Sequence, residues 1–89
     1  NNVIMRLRRQ ELIDLVAQNA VKIREKKGMS QSQLARLCGK HRQSIQRFEA
    51  GLMNPSLYFL HVIAMKLDVS ISELVTVPKI KTTSKQTKK

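Results

Sequence analysis

The chain has 89 residues, room for one compact domain and not for two. With no Trp, one Tyr and two Phe, its core has to come from Leu, Ile, Val, Met and Ala, which suits packed helices better than a β-sandwich. A net charge of +11, from 17 basic and 6 acidic residues, points to a polyanionic partner, either nucleic acid or an anionic membrane surface.

The tail lysines Lys79, Lys81, Lys85, Lys88 and Lys89 contribute +5, yet residues 20–77 hold nine basic and four acidic residues and so still carry +5 (9 − 4). The basic character therefore belongs to the body as well as the tail. The single cysteine, Cys38, excludes an internal disulfide framework and fits a reducing cytoplasm. No apolar run approaches the ~20 residues of a membrane helix. Neither a signal peptide nor a membrane-spanning helix is expected. Because the first residue is Asn, the native start is expected to be missing or processed.

Gly28, Gly39 and Gly51 each follow a helical-looking stretch and divide the chain. The first helix is expected from Ile4 to Lys26, with Leu12, Val16, Ala20 and Ile23 at helical spacing and Lys26 and Lys27 suited to its last turn. Asn19 is a good capping residue, so one long helix and two shorter ones are both open. Ser30-Gln31-Ser32-Gln33 forms a capping box that starts the second helix, whose apolar face is Leu34, Ala35, Leu37 and Cys38. The third helix, Arg42 to Ala50, turns Ile45 and Phe48 inward and leaves Arg42, Gln43, Ser44, Gln46, Arg47 and Glu49 polar. The fourth begins near Asn54, either with Asn54 as cap and Pro55 in the first helical position or with Ser56 as cap. Its expected buried stripe is Leu57, Leu60, Ala64 and Leu67, with His61 packed partly buried beside it. Ser70-Ile71-Ser72-Glu73 is a second capping box and opens a short fifth helix with Ile71, Leu74 and Val75. Beyond Pro78 the chain has no apolar period, and this tail is expected to be largely disordered.

Two short helices around a tight turn make the minimum of a helix-turn-helix unit. Here Ala35 is small where the helices cross, Gly39 supplies the turn, and Ile45 and Phe48 hold the second helix against the first over Leu34 and Cys38. With Arg24, Ser30-Gln31, Leu34-Ala35, Gly39, Ser44-Ile45, Glu49, Gly51, Pro55-Ser56, Leu60, Ala64, Leu67 and Leu74 in register, the segment from Ala20 to Val75 resembles the Cro and phage-repressor (XRE-type) helix-turn-helix family. Two positions depart from it. Lys40 replaces the usual β-branched apolar residue and is expected to swing out towards a phosphate. His41 replaces the usual Ser or Thr cap, so the third helix is expected to start softly.

The resemblance implies an all-α, compact, five-helix repressor-like bundle. Residues 1–19 would be a helical extension continuous with the first helix, 20–77 the DNA-binding domain and 78–89 a basic tail. It implies a sequence-specific transcriptional regulator, a repressor by preference, that reads the major groove of double-stranded DNA with the third helix. Arg42, Gln43 and Arg47 would be the main base readers, with Ser44 and Gln46 nearby. Glutamine suits adenine N6 and N7, and arginine suits guanine O6 and N7. Phosphates would be held by Ser30, Gln31, Lys40, Asn54 and Ser56, the first two at the amide end of the second helix. By the same resemblance Arg24 and Glu49 pair across the first and third helices.

Family members usually bind as two-fold dimers, with half-sites ~34–36 Å apart. The candidate dimer surfaces are Ile71, Leu74 and Val75 on the fifth helix, or Ile4, Met5 and Leu7 on the extension. The competing class is a protein-interaction module, an antitoxin or a transcription bridging factor with a protein partner. A membrane-surface role leaves the Ala35–Gly39–Ile45 pattern unexplained. No enzyme, metal or cofactor is expected, because the two His and one Cys have no metal-ligand spacing and the acids are scattered. The expected location is the cytoplasm, in association with the nucleoid.

Overall fold

The computed structural model describes residues 6–78, and among them there are five helices and no strand. They are α1 (Arg9–Lys26), α2 (Gln31–Cys38), α3 (Arg42–Glu49), α4 (Leu57–Leu67) and α5 (Ile71–Leu74). Ile4, Met5 and the tail lysines lie outside the described residues.

Helix α1 is continuous through Asn19. That side chain is buried and donates to the carbonyls of Leu74 (2.8 Å) and Thr76 (2.9 Å), so it joins α1 to the end of α5 rather than capping a break. The buried face of α1 is Ile13, Val16, Ala17, Ala20 and Arg24. Leu12, expected in that stripe, stands one position off it and is exposed.

Serine opens three of the four remaining helices. Ser30 Oγ accepts from the Gln33 amide (3.0 Å) while Gln33 Oε1 accepts from the Ser30 amide (2.7 Å). Ser70 and Glu73 repeat the arrangement at α5. Ser56 Oγ accepts from the Phe59 amide (3.0 Å), which decides the α4 boundary for Ser56 and leaves Pro55 outside the helix. Helix α3 has no side-chain cap at His41.

The core gathers Leu34, Ile45, Phe48, Ile63, Leu67 and Leu74, all fully buried. Phe48 meets Phe59 edge-on, with centroids 5.1 Å apart and planes at 68°, a favoured aromatic geometry that locks α3 to α4. The buried stripe of α4 is Phe59, Ile63, Ala64 and Leu67. Leu57, expected in that stripe, is instead 73% exposed, because Ser56 starts the helix and sets Phe59 inward. His61, expected to be partly buried, is exposed and lies beside Tyr58, with ring centroids 6.0 Å apart. Leu74, expected on a candidate dimer surface, is wholly enclosed between α1, α4 and α5 and cannot serve as one.

Helix α4 ends on Asp68 in the left-handed conformation (φ 60°), a non-glycine residue where a Cβ is unfavourable. Its carboxylate also faces the negative end of the helix dipole. Asp68→Gly is expected to stabilise the fold by roughly 1 kcal/mol. Thermal or urea unfolding measures this, and an unchanged or lower midpoint counts against it.

Candidate nucleic-acid interface

The turn between α2 and α3 is made by Gly39 at φ 66°, with the Lys40 amide donating to the Ala35 carbonyl (2.9 Å). Ala35 and Leu34 are buried at the crossing, and Ile45 and Phe48 are the buried residues of α3. The opposite side of α3 is therefore left to solvent: Arg42, Gln43, Gln46 and Arg47 are exposed and Ser44 is half-buried. Four exposed polar side chains on two turns form a continuous hydrogen-bonding surface that includes two fixed positive charges.

What fixes the direction of this surface is a group of charges beneath it. Arg24 on α1 makes a bidentate pair with Glu49 at the end of α3, Nε to Oε2 at 2.7 Å and Nη2 to Oε1 at 2.9 Å. Arg24 Nη1 donates to the Met29 carbonyl at 2.7 Å, and Gln31 Nε2 on α2 donates to Glu49 Oε1 at 2.8 Å. The hydrogen bonds that Arg24 donates to Glu49 raise its pKa, outweighing the lowering effect of burial, so this guanidinium stays charged wherever the protein is folded. The α1–α2 turn, the start of α2 and the end of α3 are thus tied at one carboxylate.

A helix-turn-helix family model (HTH_3) matches residues 22–74. The chain belongs to the helix-turn-helix family of DNA-binding transcriptional regulators. An uncharacterized HTH-type transcriptional regulator of Sinorhizobium fredii, y4dJ, is 36% identical over 62 residues, covering 70% of this chain and 80% of that protein. The hypothetical transcription factor NHTF from Neisseria shares the fold at a TM-score of 0.74 and 32% identity, over 81% of this chain and 83% of that one. The restriction-modification controller protein C.AhdI from Aeromonas hydrophila matches at 0.67 and 34% identity, over 70% and 94% of the two chains.

Ser30 and Ser56 spend an oxygen lone pair on capping, which leaves each hydroxyl hydrogen for an outside acceptor. The Gln31 side chain is committed to Glu49, so its outward donor is the backbone amide at the start of α2. Asn54 is exposed in the α3–α4 loop. Lys40, rather than swinging away, lays its ammonium 5.6 Å over the Phe59 ring, a cation–π contact with α4. One Arg47 nitrogen donates to the Leu52 carbonyl over a long 3.3 Å, directing this arginine towards the α3–α4 loop.

Cys38 is half-buried, and burial pushes its thiol pKa up, an effect opposed by Lys66 and Lys40. No group of His, Cys, Asp and Glu among the described residues is placed to hold a metal ion, and no described helix is long and apolar enough to cross a membrane. Sequence reasoning missed the Gln10 side chain, which donates to both the Gly51 carbonyl and Asp14 Oδ1 at 2.9 Å. The only local signal for it is the four-residue spacing of Gln10 and Asp14.

Removing one side of the Arg24–Glu49 pair strands the other charge in a site where the two side chains are 10% and 4% exposed. Glu49→Ala is therefore expected to cost about 3–5 kcal/mol. Gln43→Ala, at an exposed position, is expected to stay within ~0.5 kcal/mol. Denaturant unfolding of the two variants separates them, and equal midpoints would discount the pair.

Proposed function

We propose that this regulator is a sequence-specific repressor that places α3 in the major groove of B-DNA. The observation that carries the reading is the outward polar face of α3, held in position by Glu49 and left, among the described residues, without intramolecular side-chain partners apart from the long Arg47 contact. Gln43 and Gln46 match adenine, and Arg42 matches guanine. Arg47, drawn towards Leu52, stands between base edge and phosphate. Ser44, half-buried at the first turn, supports rather than dominates the reading.

Phosphates on one strand meet the start of α2 through Ser30 and Gln31. Those on the other meet the α3–α4 loop through Asn54 and Ser56, and Lys40 can leave Phe59 to join them. The site of action is the cytoplasmic nucleoid, where such DNA lies.

A two-fold dimer is part of this proposal, since one unit reads only a few base pairs. Its surface is the outer face of α4, occupied by a second copy. Leu57, Tyr58 and Met65 are exposed there, and Lys66 is the one charged residue in an 11-residue helix. In a chain of net charge +11, this is where two copies meet with least repulsion. Ile71, on the next helix, and Val75, at that helix's C-cap, are each half-buried. Tyr58→Glu is expected to shift the sedimentation coefficient from dimer to monomer without altering helix content. A wild-type chain that sediments as a monomer at micromolar concentration and on DNA would overturn this surface.

Selection from random duplexes over a salt series tests the reading itself. An enriched palindrome is expected, and Gln43→Ala should lose about 1–3 kcal/mol of discrimination at one position. Lys40→Ala should weaken all duplexes alike. Unchanged preference after replacing Arg42, Gln43 and Arg47 would end the proposal.

A further inference from the structure

We infer that the first turn of α1, which precedes the matched family segment, is an additional phosphate-binding element in which Arg9 extends the DNA contact of the α3–α4 loop. The inference rests on the proposal that α3 reads the major groove. Helix α1 begins at Arg9, 13 positions before the first matched residue, 22 (22 − 9). Three observations give those extra turns a role.

The first is a built seat. Gln10 Nε2 donates to the Gly51 carbonyl at 2.9 Å across 41 positions of sequence and also to Asp14 Oδ1. Gly51 has φ 74°, and a Cβ built on it would run into the Asp14 carboxylate. The start of α1 therefore rests directly on the backbone that follows α3, at a residue that cannot carry a side chain.

The second is position. Arg9 and Asn54 line the same two adjoining depressions, one completed by Gly51 and Leu52 and the other by Pro55 and Leu60. Asn54 is one of the loop residues proposed to hold phosphate. Arg47 approaches the same loop from α3 through Leu52, so the loop has a guanidinium on each side.

The third is charge. Arg6, Arg8 and Arg9 are exposed and form no ion pair among the described residues. Basic side chains at the positive end of a helix dipole oppose helix formation, and an acid is the residue that favours it. Glu11 supplies that acid by accepting from the Arg8 amide at 2.8 Å, while the three arginine side chains stay exposed to solvent. An anion beside Asn54 would relieve the repulsion between these charges and the dipole. The backbone of the strand flanking the segment read by α3 is such an anion, and Arg9 is the member of the three set against the loop.

The test uses the full chain and the best duplex from selection, with affinity measured by fluorescence anisotropy between 50 and 200 mM KCl. Each lost phosphate contact lowers the salt slope by about 0.9, and a two-fold dimer loses two, so over this fourfold range Arg9→Gln should lose about twelvefold less affinity than wild type. Base preference should not change, and the difference between the proteins should vanish on a duplex shortened to remove the flanking phosphates. Lys22→Gln removes a positive charge from the same helix beside Glu73 and Thr76, and it should leave the slope unaltered. A wild-type slope for Arg9→Gln, or an equal drop for Lys22→Gln, would overturn the inference. Failure of the major-groove reading shows separately, as a Gln43→Ala variant with unchanged base preference.

Discussion

Both oxygens of one carboxylate organise this molecule. Glu49 Oε2 is taken by Arg24 Nε, and Oε1 by Arg24 Nη2 and Gln31 Nε2. A negative charge at the C-terminal end of α3 is unfavourable for the helix dipole, and the guanidinium behind it offsets that penalty. A buried ion pair adds little net stability compared with an apolar substitute of the same shape. Its bidentate geometry instead restricts how α3 can turn about its own axis. That restriction is what keeps Ile45 and Phe48 inward and the polar residues outward, so the packing of the core and the direction of the basic face follow from it.

The ends of the helices show how differently they are held. Helices α2, α4 and α5 each begin on a serine oxygen that accepts a backbone amide, whereas α3 begins on His41 without one. Helix α3 is eight residues long, too short to persist by itself. Its order comes from Ile45, Phe48 and Glu49, all towards the middle and C-terminal end, and from the edge-on contact of Phe48 with Phe59. The first turn, with Arg42 and Gln43, is therefore the least constrained part of the helix.

Much of this was legible from the chain alone, and what was legible is local chemistry. The two capping boxes were readable because donor and acceptor lie three residues apart. The α2–α3 unit was readable because a small residue, a glycine and two inward apolar residues leave few alternatives, and Arg24 and Glu49 came from family resemblance. Helix α4 was misread at Leu57 because nearly every residue of Leu57–Leu67 is apolar, so the period has no contrast and only the Ser56 cap sets the phase. Leu74 is apolar whether it faces a partner or a core, and its burial depends on α1 lying across it. Gln31, Lys40 and Gln10 look like surface residues in sequence. Each has a partner 18 or more positions away, which no local pattern reveals.

The bonds of Asn19 bear on how the domain opens. Helix α5 has four residues and cannot sustain itself, yet two carbonyls at its end are held by one buried amide in the middle of α1. Peeling α5 away would leave that amide without acceptors inside the protein and uncover Leu74. The last turn is therefore no fraying end. It closes the described body into a ring in which α1 and α5 loosen together, and amide exchange in α5 should report the opening of that whole body rather than of its edge.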